Sequence, residues 1–168
     1  MSVRLYLAGF FVATTSLFSF NAFAADNSTP IEIALFPPVQ FPSPDFAVRG
    51  LRLSVVGQNR EAHGLDLALI GNMTKQKFTG VAIAGLFNYN AVGADIIGLQ
   101  LAGLANLNDV SSRLYGFQVG AYNRVGKVYG VQIGLVNSAR ELHGIQIGLI
   151  NFNDAGPFKA SPIINVGF

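Results

Sequence analysis

One short phrase fills most of this chain. Residues 130–137 read Gly-Val-Gln-Ile-Gly-Leu-Val-Asn, and residues 144–151 read Gly-Ile-Gln-Ile-Gly-Leu-Ile-Asn. Earlier copies begin at Gly116 and Gly98, and looser ones at Gly80, Gly64 and Gly50. A fixed short period decides architecture before any other signal, because each unit must be one structural element stacked on its neighbours. Within a unit the period is two. Val131, Ile133 and Leu135 fall on one face and Gly130, Gln132 and Gly134 on the other, which is strand periodicity. The spacings between the leading glycines are 14, 16, 18, 18, 14 and 14, all even, so each unit keeps its facing. The units at Gly80 and Gly98 carry one extra residue before Asn88 and Asn106, which a β-bulge explains.

The pieces between units look like turns: 59–61, 72–75, 108–112, 124–127 and 138–141. Most charges of the repeat region sit in them. This reading gives eight strands of roughly ten residues, at 46–56, 62–72, 78–88, 96–106, 114–123, 128–137, 142–151 and 159–168. Ahead of them, residues 25–45 form a Pro-rich arm, interrupted at Pro30, Pro37, Pro38, Pro42 and Pro44. Proline is confined to sheet edges, so the alternating run 31–35 reads as one short edge strand.

Residues 1–24 read as a secretory signal peptide. Arg4 gives a positive start, residues 5–20 are apolar and uncharged, and Ala22-Phe23-Ala24 is a small-x-small cleavage site before Ala25. The apolar run is short for a spanning helix, which needs ~20 residues. The chain has no cysteine, which excludes disulfides, thiolate chemistry and a lipid-modified cysteine. Charged residues are 12% of the chain, about half the usual share of ~25%. The mean hydropathy is +0.42. High apolarity without a long apolar run after residue 24 points to strands that show one face to lipid or to a core. A net charge of +2 with scattered Lys and Arg gives no footprint for nucleic acid.

Two architectures fit. The first is an eight-stranded antiparallel outer-membrane-type barrel. Its strands match the ~9–11 residues needed to cross the hydrocarbon layer, its aliphatics face lipid, and Tyr115, Tyr122, Tyr129 and Phe152 suit interfacial girdles. Phe168 ends an alternating strand with Ile164 and Val166, resembles a barrel-closing signal, and would pair that strand with residues 48–56. The alternative is a β-solenoid with one repeat per coil, in which each Gln and each Asn stacks on its own kind. Variable coil length counts against it. The barrel is the expected fold.

The repeated phrase, with Phe36-Pro37-Pro38 before it and Pro-Ile-Ile-Asn-Val-Gly-Phe after it, resembles a family of uncharacterised bacterial surface-repeat proteins found in spirochaetes and other Gram-negative groups. The resemblance spans residues 31–168. It implies a cell-envelope location and carries no activity.

No phosphate-binding pattern accompanies the glycines. Gln100, Gln118, Gln132 and Gln146 share a face with Arg52 and Asp66. They are the candidate binding set, either as an internal polar network or as a ligand surface. His63 and His143 are the only histidines. Glu141 and Ser138 lie near His143, but without a motif, so a lipid-modifying barrel enzyme is a remote alternative. Two separated histidines make no metal site. The expectation is an exported cell-envelope protein of the outer membrane or cell surface of a Gram-negative-type bacterium. It is expected to be non-enzymatic and to carry no cofactor, with outer-membrane lipid and assembly machinery as partners and a protein or glycan partner undefined. The runner-up is a soluble or surface-attached β-solenoid that serves as a binding scaffold.

Overall fold

The computed structural model describes residues 27–168; the signal-peptide segment 1–24 and the cleavage point at Ala25 lie outside the described residues. The fold is all-β, with 78% strand and no helix among the described residues. The chain runs through β1 (Ser28–Phe36), β2 (Val39–Phe41), β3 (Ala47–Ala84), β4 (Phe87–Asn90) and β5 (Asp95–Ala102). It continues through β6 (Ala105–Asn108), β7 (Arg113–Val119), β8 (Tyr122–Ile133), β9 (Val136–Asn153) and β10 (Ala160–Gly167).

The expected antiparallel barrel does not form. The repeats stack in parallel and wind into a β-solenoid of about seven turns. Register is what overturns the barrel. Gly80 pairs with Gly98, Gly98 with Gly116, Gly116 with Gly130 and Gly130 with Gly144, all in parallel strands. In an antiparallel meander the same phrases would meet reversed. The eight separate strands are likewise revised: residues 47–84 are one continuous strand, bent around more than two coils. β10 pairs only with β9, so the closing pair expected between the last strand and residues 48–56 is absent.

Each coil has two strand segments and two corners. In one coil, residues 122–125 form the short segment, Gly126 a corner, residues 127–133 the long segment and residues 134–135 the other corner. Neighbouring coils lie about 4.8 Å apart along the axis. Variable coil length, the objection to a solenoid, is absorbed at the corners. Leu101 pairs with Val119 and Ala105 with Tyr122, so the extra residue of the Gly98 unit falls in the bend between them and no ladder is broken. The longer spacings add residues at the opposite corner, in the turns at 91–94 and 109–112. There Ala94 N–H donates to Ala91 C=O and Ser112 N–H to Asp109 C=O.

Both ends turn back on themselves. β2 runs antiparallel beside β1, and β10 retraces the last coil antiparallel to β9. The alternating run 31–35 lies within β1, which pairs in parallel with β3 as the first rung.

The leading glycine of each unit sits on the inner side of the long segment. Gly130 and Gly144 have φ of 147° and 148°, a region disfavoured for residues with a side chain. A Cβ on Gly144 would collide with the carbonyl oxygen of Gly130 one coil below, and a Cβ on Gly130 with that of Gly116. Gly93 also has a positive φ, of 71°, but lies in a turn with nothing within 4 Å of its missing Cβ. Gly93→Ala should therefore cost only the conformational strain, about 1–3 kcal/mol. Gly130→Ala should cost more, because strain and collision add. Urea unfolding midpoints of the two variants test this ordering; equal midpoints would contradict the stacked geometry.

Candidate functional site

The inward positions of the long segment form straight columns. Val48, Ala62, Phe78, Ile96, Leu114, Val128 and Leu142 stack as one apolar column, each nearly or fully buried. Two residues past each leading glycine is a second column: Arg52, Asp66, Ala82, Gln100, Gln118, Gln132 and Gln146. Glu32 of β1, the register partner of Arg52 on the neighbouring rung, extends this column by one place. The sequence places Arg52, Asp66 and the four glutamines on one face, and the structure brings them into one file.

That file is interior, an internal polar network rather than an exposed surface. Gln100 is 1% accessible and Gln118, Gln132 and Gln146 are 0%. Gln118 Nε2 donates to Gln100 Oε1 at 2.9 Å, Gln132 to Gln118 at 2.9 Å and Gln146 to Gln132 at 2.8 Å. Asn165 of β10 ends the series, donating to Gln146 Oε1 at 3.1 Å. The glutamines form a continuous internal ladder.

A second ladder occupies the short segment, at the ends of the expected strands. Asn72, Asn88, Asn106, Asn123, Asn137 and Asn151 are buried and each of the first five donates to the next, over 2.7–3.1 Å. The spare amide proton crosses the core. Asn106 donates to Val119 C=O at 3.0 Å, Asn123 to Ile133 C=O and Asn137 to Ile147 C=O, both at 2.9 Å. These asparagines tie the two segments of the coil together beside the corner.

The N-terminal end of the Gln file is charged. Arg52 Nε donates to Asp66 Oδ1 at 2.8 Å and Nη2 to Asp66 Oδ2, a two-pronged pair. Arg52 Nη1 also donates to Asn59 Oδ1 at 3.0 Å and Met73 C=O at 3.2 Å. Burial pushes Asp66 above the usual carboxylate range, with Arg52 working against it. Burial likewise pushes Glu32 up to about 7; Arg52 pulls it down, Asp66 pushes it up and the Asn59 amide pulls it down. The space between Arg52, Asp66 and Phe78 leaves no volume for a ligand.

The remaining sequence candidates lie outside. His143 stacks on Tyr129, and Tyr129 on Tyr115, with centroids 4.8 and 4.9 Å apart and rings within 6° of parallel, the spacing of the coils themselves. Glu141 accepts from Lys127 at 2.7 Å, which holds its carboxyl below the usual range, while Ser138 pairs with Arg124 on the short segment. His63 contacts Glu61 at 3.2 Å. Among the described residues no three His, Cys, Asp or Glu converge.

What the candidate set missed is the outer surface. The aliphatic face of the repeats, expected to meet lipid or a core, points away from the core: Ile133, Ile145 and Ile147 are about two-fifths exposed. It continues around one corner, where Leu69 (72%), Leu86, Leu104, Leu135 and Leu149 (68%) protrude. On the stretches 65–71, 81–87, 99–105, 117–122, 131–136 and 145–150 no outward residue is charged; Asp66 points inward. The opposite corner carries the charges. Lys75 pairs with Asp45 at 3.2 Å, Arg113 with Asp95 at 2.9 Å and Lys127 with Glu141 at 2.7 Å. The signal for this was present: apart from the inward Arg52 and Asp66, the charges of the repeat region fall between each Asn and the next leading Gly. The candidate functional surface is this uncharged corner and its two flanks.

Comparison with protein-family models, curated proteins and solved structures found no match to this chain.

Two tests follow from the interior. Gln132→Leu strips the donor from Gln118 Oε1 and the acceptor from Gln146 Nε2. Each orphaned buried group should cost about 1–3 kcal/mol, read as a lower unfolding midpoint. An unchanged midpoint would mean the ladder does not hold. For Glu32, the folded pKa of about 7 lies above the unfolded value of 4.5, so the folded state binds the extra proton between them. Its contribution is full below pH 4.5 and is lost as pH rises through 7, by at most on the order of 3 kcal/mol. Glu32→Gln should flatten that decline and raise stability at pH 8.

Proposed function

We propose that this chain is an exported, non-enzymatic β-solenoid of the bacterial cell envelope, a binding scaffold whose working surface is its uncharged corner. One observation carries the reading: the charges gather at one long edge of the coil stack, and the opposite edge, uncharged, carries a row of exposed leucines. Folding does not require this. The interior is already closed by amides and small apolar side chains, so the leucines at the corner contribute little to the core. A contiguous exposed apolar surface of this kind marks an interaction site. The signal-like sequence 1–24 and the resemblance to surface-repeat proteins support an envelope location.

Replacing Leu104, Leu135 and Leu149 together with Ser should leave far-ultraviolet circular dichroism and the unfolding midpoint close to those of the parent, because these side chains are exposed. The same protein, expressed in its host, should leave the envelope fraction for the soluble one. A folded triple variant that stays with the envelope would refute the assignment of the corner as the working surface.

A further inference from the structure

The shape of the uncharged corner says what kind of partner covers it. It is a convex edge, not a groove, so it cannot enclose a peptide or a small molecule, which bind in concave sites. It is also two-flanked. Aliphatic residues of the long segment lie on one side, and Val136 and Ile150 of the short segment on the other. A flat protein surface, a second copy of this chain included, would cover one flank and leave the other in water. A fluid apolar phase covers both.

The polarity is graded in the same sense on each side. Tyr115 and Tyr129 stand on the long-segment flank between the aliphatic rows and the charged corner. On the short-segment flank Tyr122 lies in the row of Val136 beside the corner, and the partly exposed Tyr89 stands one row farther out, in line with Arg124 and Ser138. Tyrosine, apolar along its ring and polar at its hydroxyl, suits the boundary between hydrocarbon and headgroups. At about 4.8 Å per coil, the row from Leu69 to Leu149 is a straight edge about 24 Å long.

We propose that the leucine corner lies in the surface of a lipid bilayer, with its leucines among the acyl chains, its flanking tyrosines at headgroup level and the charged corner in water. This rests on the scaffold reading and names its partner. The solenoid does not span the membrane; it lies on one leaflet, as an interfacial amphipathic element does. Charge has a small part in the contact, because the cations stand at the far corner, where Lys75, Arg113 and Lys127 are paired with Asp45, Asp95 and Glu141. Binding should therefore require neither anionic lipid nor low salt, which separates this mode from a polybasic one.

The chain contains no tryptophan, so a single introduced one reports its own surroundings. The processed full chain carrying Leu149→Trp should float with phosphatidylcholine vesicles at both low and high salt, and its emission should shift to the blue. Arg140→Trp, on the charged corner, should float equally well with no shift. Leu135→Ser with Leu149→Ser should lower the partition coefficient about tenfold or more. Failure of the folded protein to float, or equal shifts at positions 149 and 140, would overturn the proposal. If flotation fails while the Leu104, Leu135 and Leu149 triple variant still leaves the envelope fraction, lipid is excluded and the scaffold reading stands. If neither responds, both fall.

Discussion

The in-register hydrogen bond between identical amide side chains is what the rest of this structure depends on. A buried Gln has two donors and two acceptor lone pairs to satisfy, and in this interior the Gln on one side supplies an acceptor and the Gln on the other a donor. That works only if the coils are parallel, in register and about 4.8 Å apart. A slip of one residue would turn every Gln outward and every Ile inward. The leading glycines serve the same end. Backbone oxygens one coil away occupy the space where a Cβ would stand at Gly130 and Gly144. The close approach of backbones and the amide contacts are one constraint, met by two residue types at fixed separation.

The two ladders also run in opposite senses. Each Gln donates towards the N-terminal end of the stack, from Gln146 to Gln132 to Gln118 to Gln100. Each Asn donates towards the C-terminal end, from Asn72 through to Asn151. The amide dipoles of the two columns therefore oppose one another over the coils they share. The ladders stop where their partners change. Ala82 separates the glutamines from Asp66, and the column then continues as the Arg52–Asp66 pair and Glu32. A buried ion pair contributes little net stability once desolvation is counted. Its effect here is to specify an end: an Arg–Asp pair cannot stack on a Gln as another Gln can, so coils at this end have one register only.

The repeat, its strand period and the even spacings were legible in the sequence, and so was the file of Arg52, Asp66 and the four glutamines. The choice of fold was not, because period-two alternation shows that a strand has two faces without showing which is inside. An aliphatic face and an amide face read the same way for a barrel in lipid and for a solenoid turned inside out. Residues 72–75 and 138–141 looked like turns because Asn and Ser mark turns in most sequences. Only the parallel partners one coil away make Asn72, in the first of these, and Asn137, beside the second, core residues, and those partners are 16 and 14 residues distant. What did carry the answer was the repetition of Gln and Asn at fixed positions, since only parallel stacking places like beside like.

An amide interior has a consequence for the exterior. In an ordinary domain the apolar residues are consumed by the core, and what remains for the surface is polar. Here the ladders, the small residues and a single apolar column close the core, and half the aliphatic residues of each repeat are left outside. Such a surface would be an aggregation hazard if it were spread evenly around the coil. Its leucines are gathered instead at one corner, with aliphatics on the flanks, and the corner opposite, which exposes Val92 and Val110, carries the ion pairs. The ends, where a parallel stack offers open strand edges, are turned back on themselves by β2 and β10, and the prolines around β2 blunt the first of them. Stacking along the axis and contact around the corner are thus controlled by separate features. A change at Leu135 or Leu149 should alter what the solenoid binds without weakening the stack, whereas a change at Gln132 should weaken the stack and leave the exposed corner as it is.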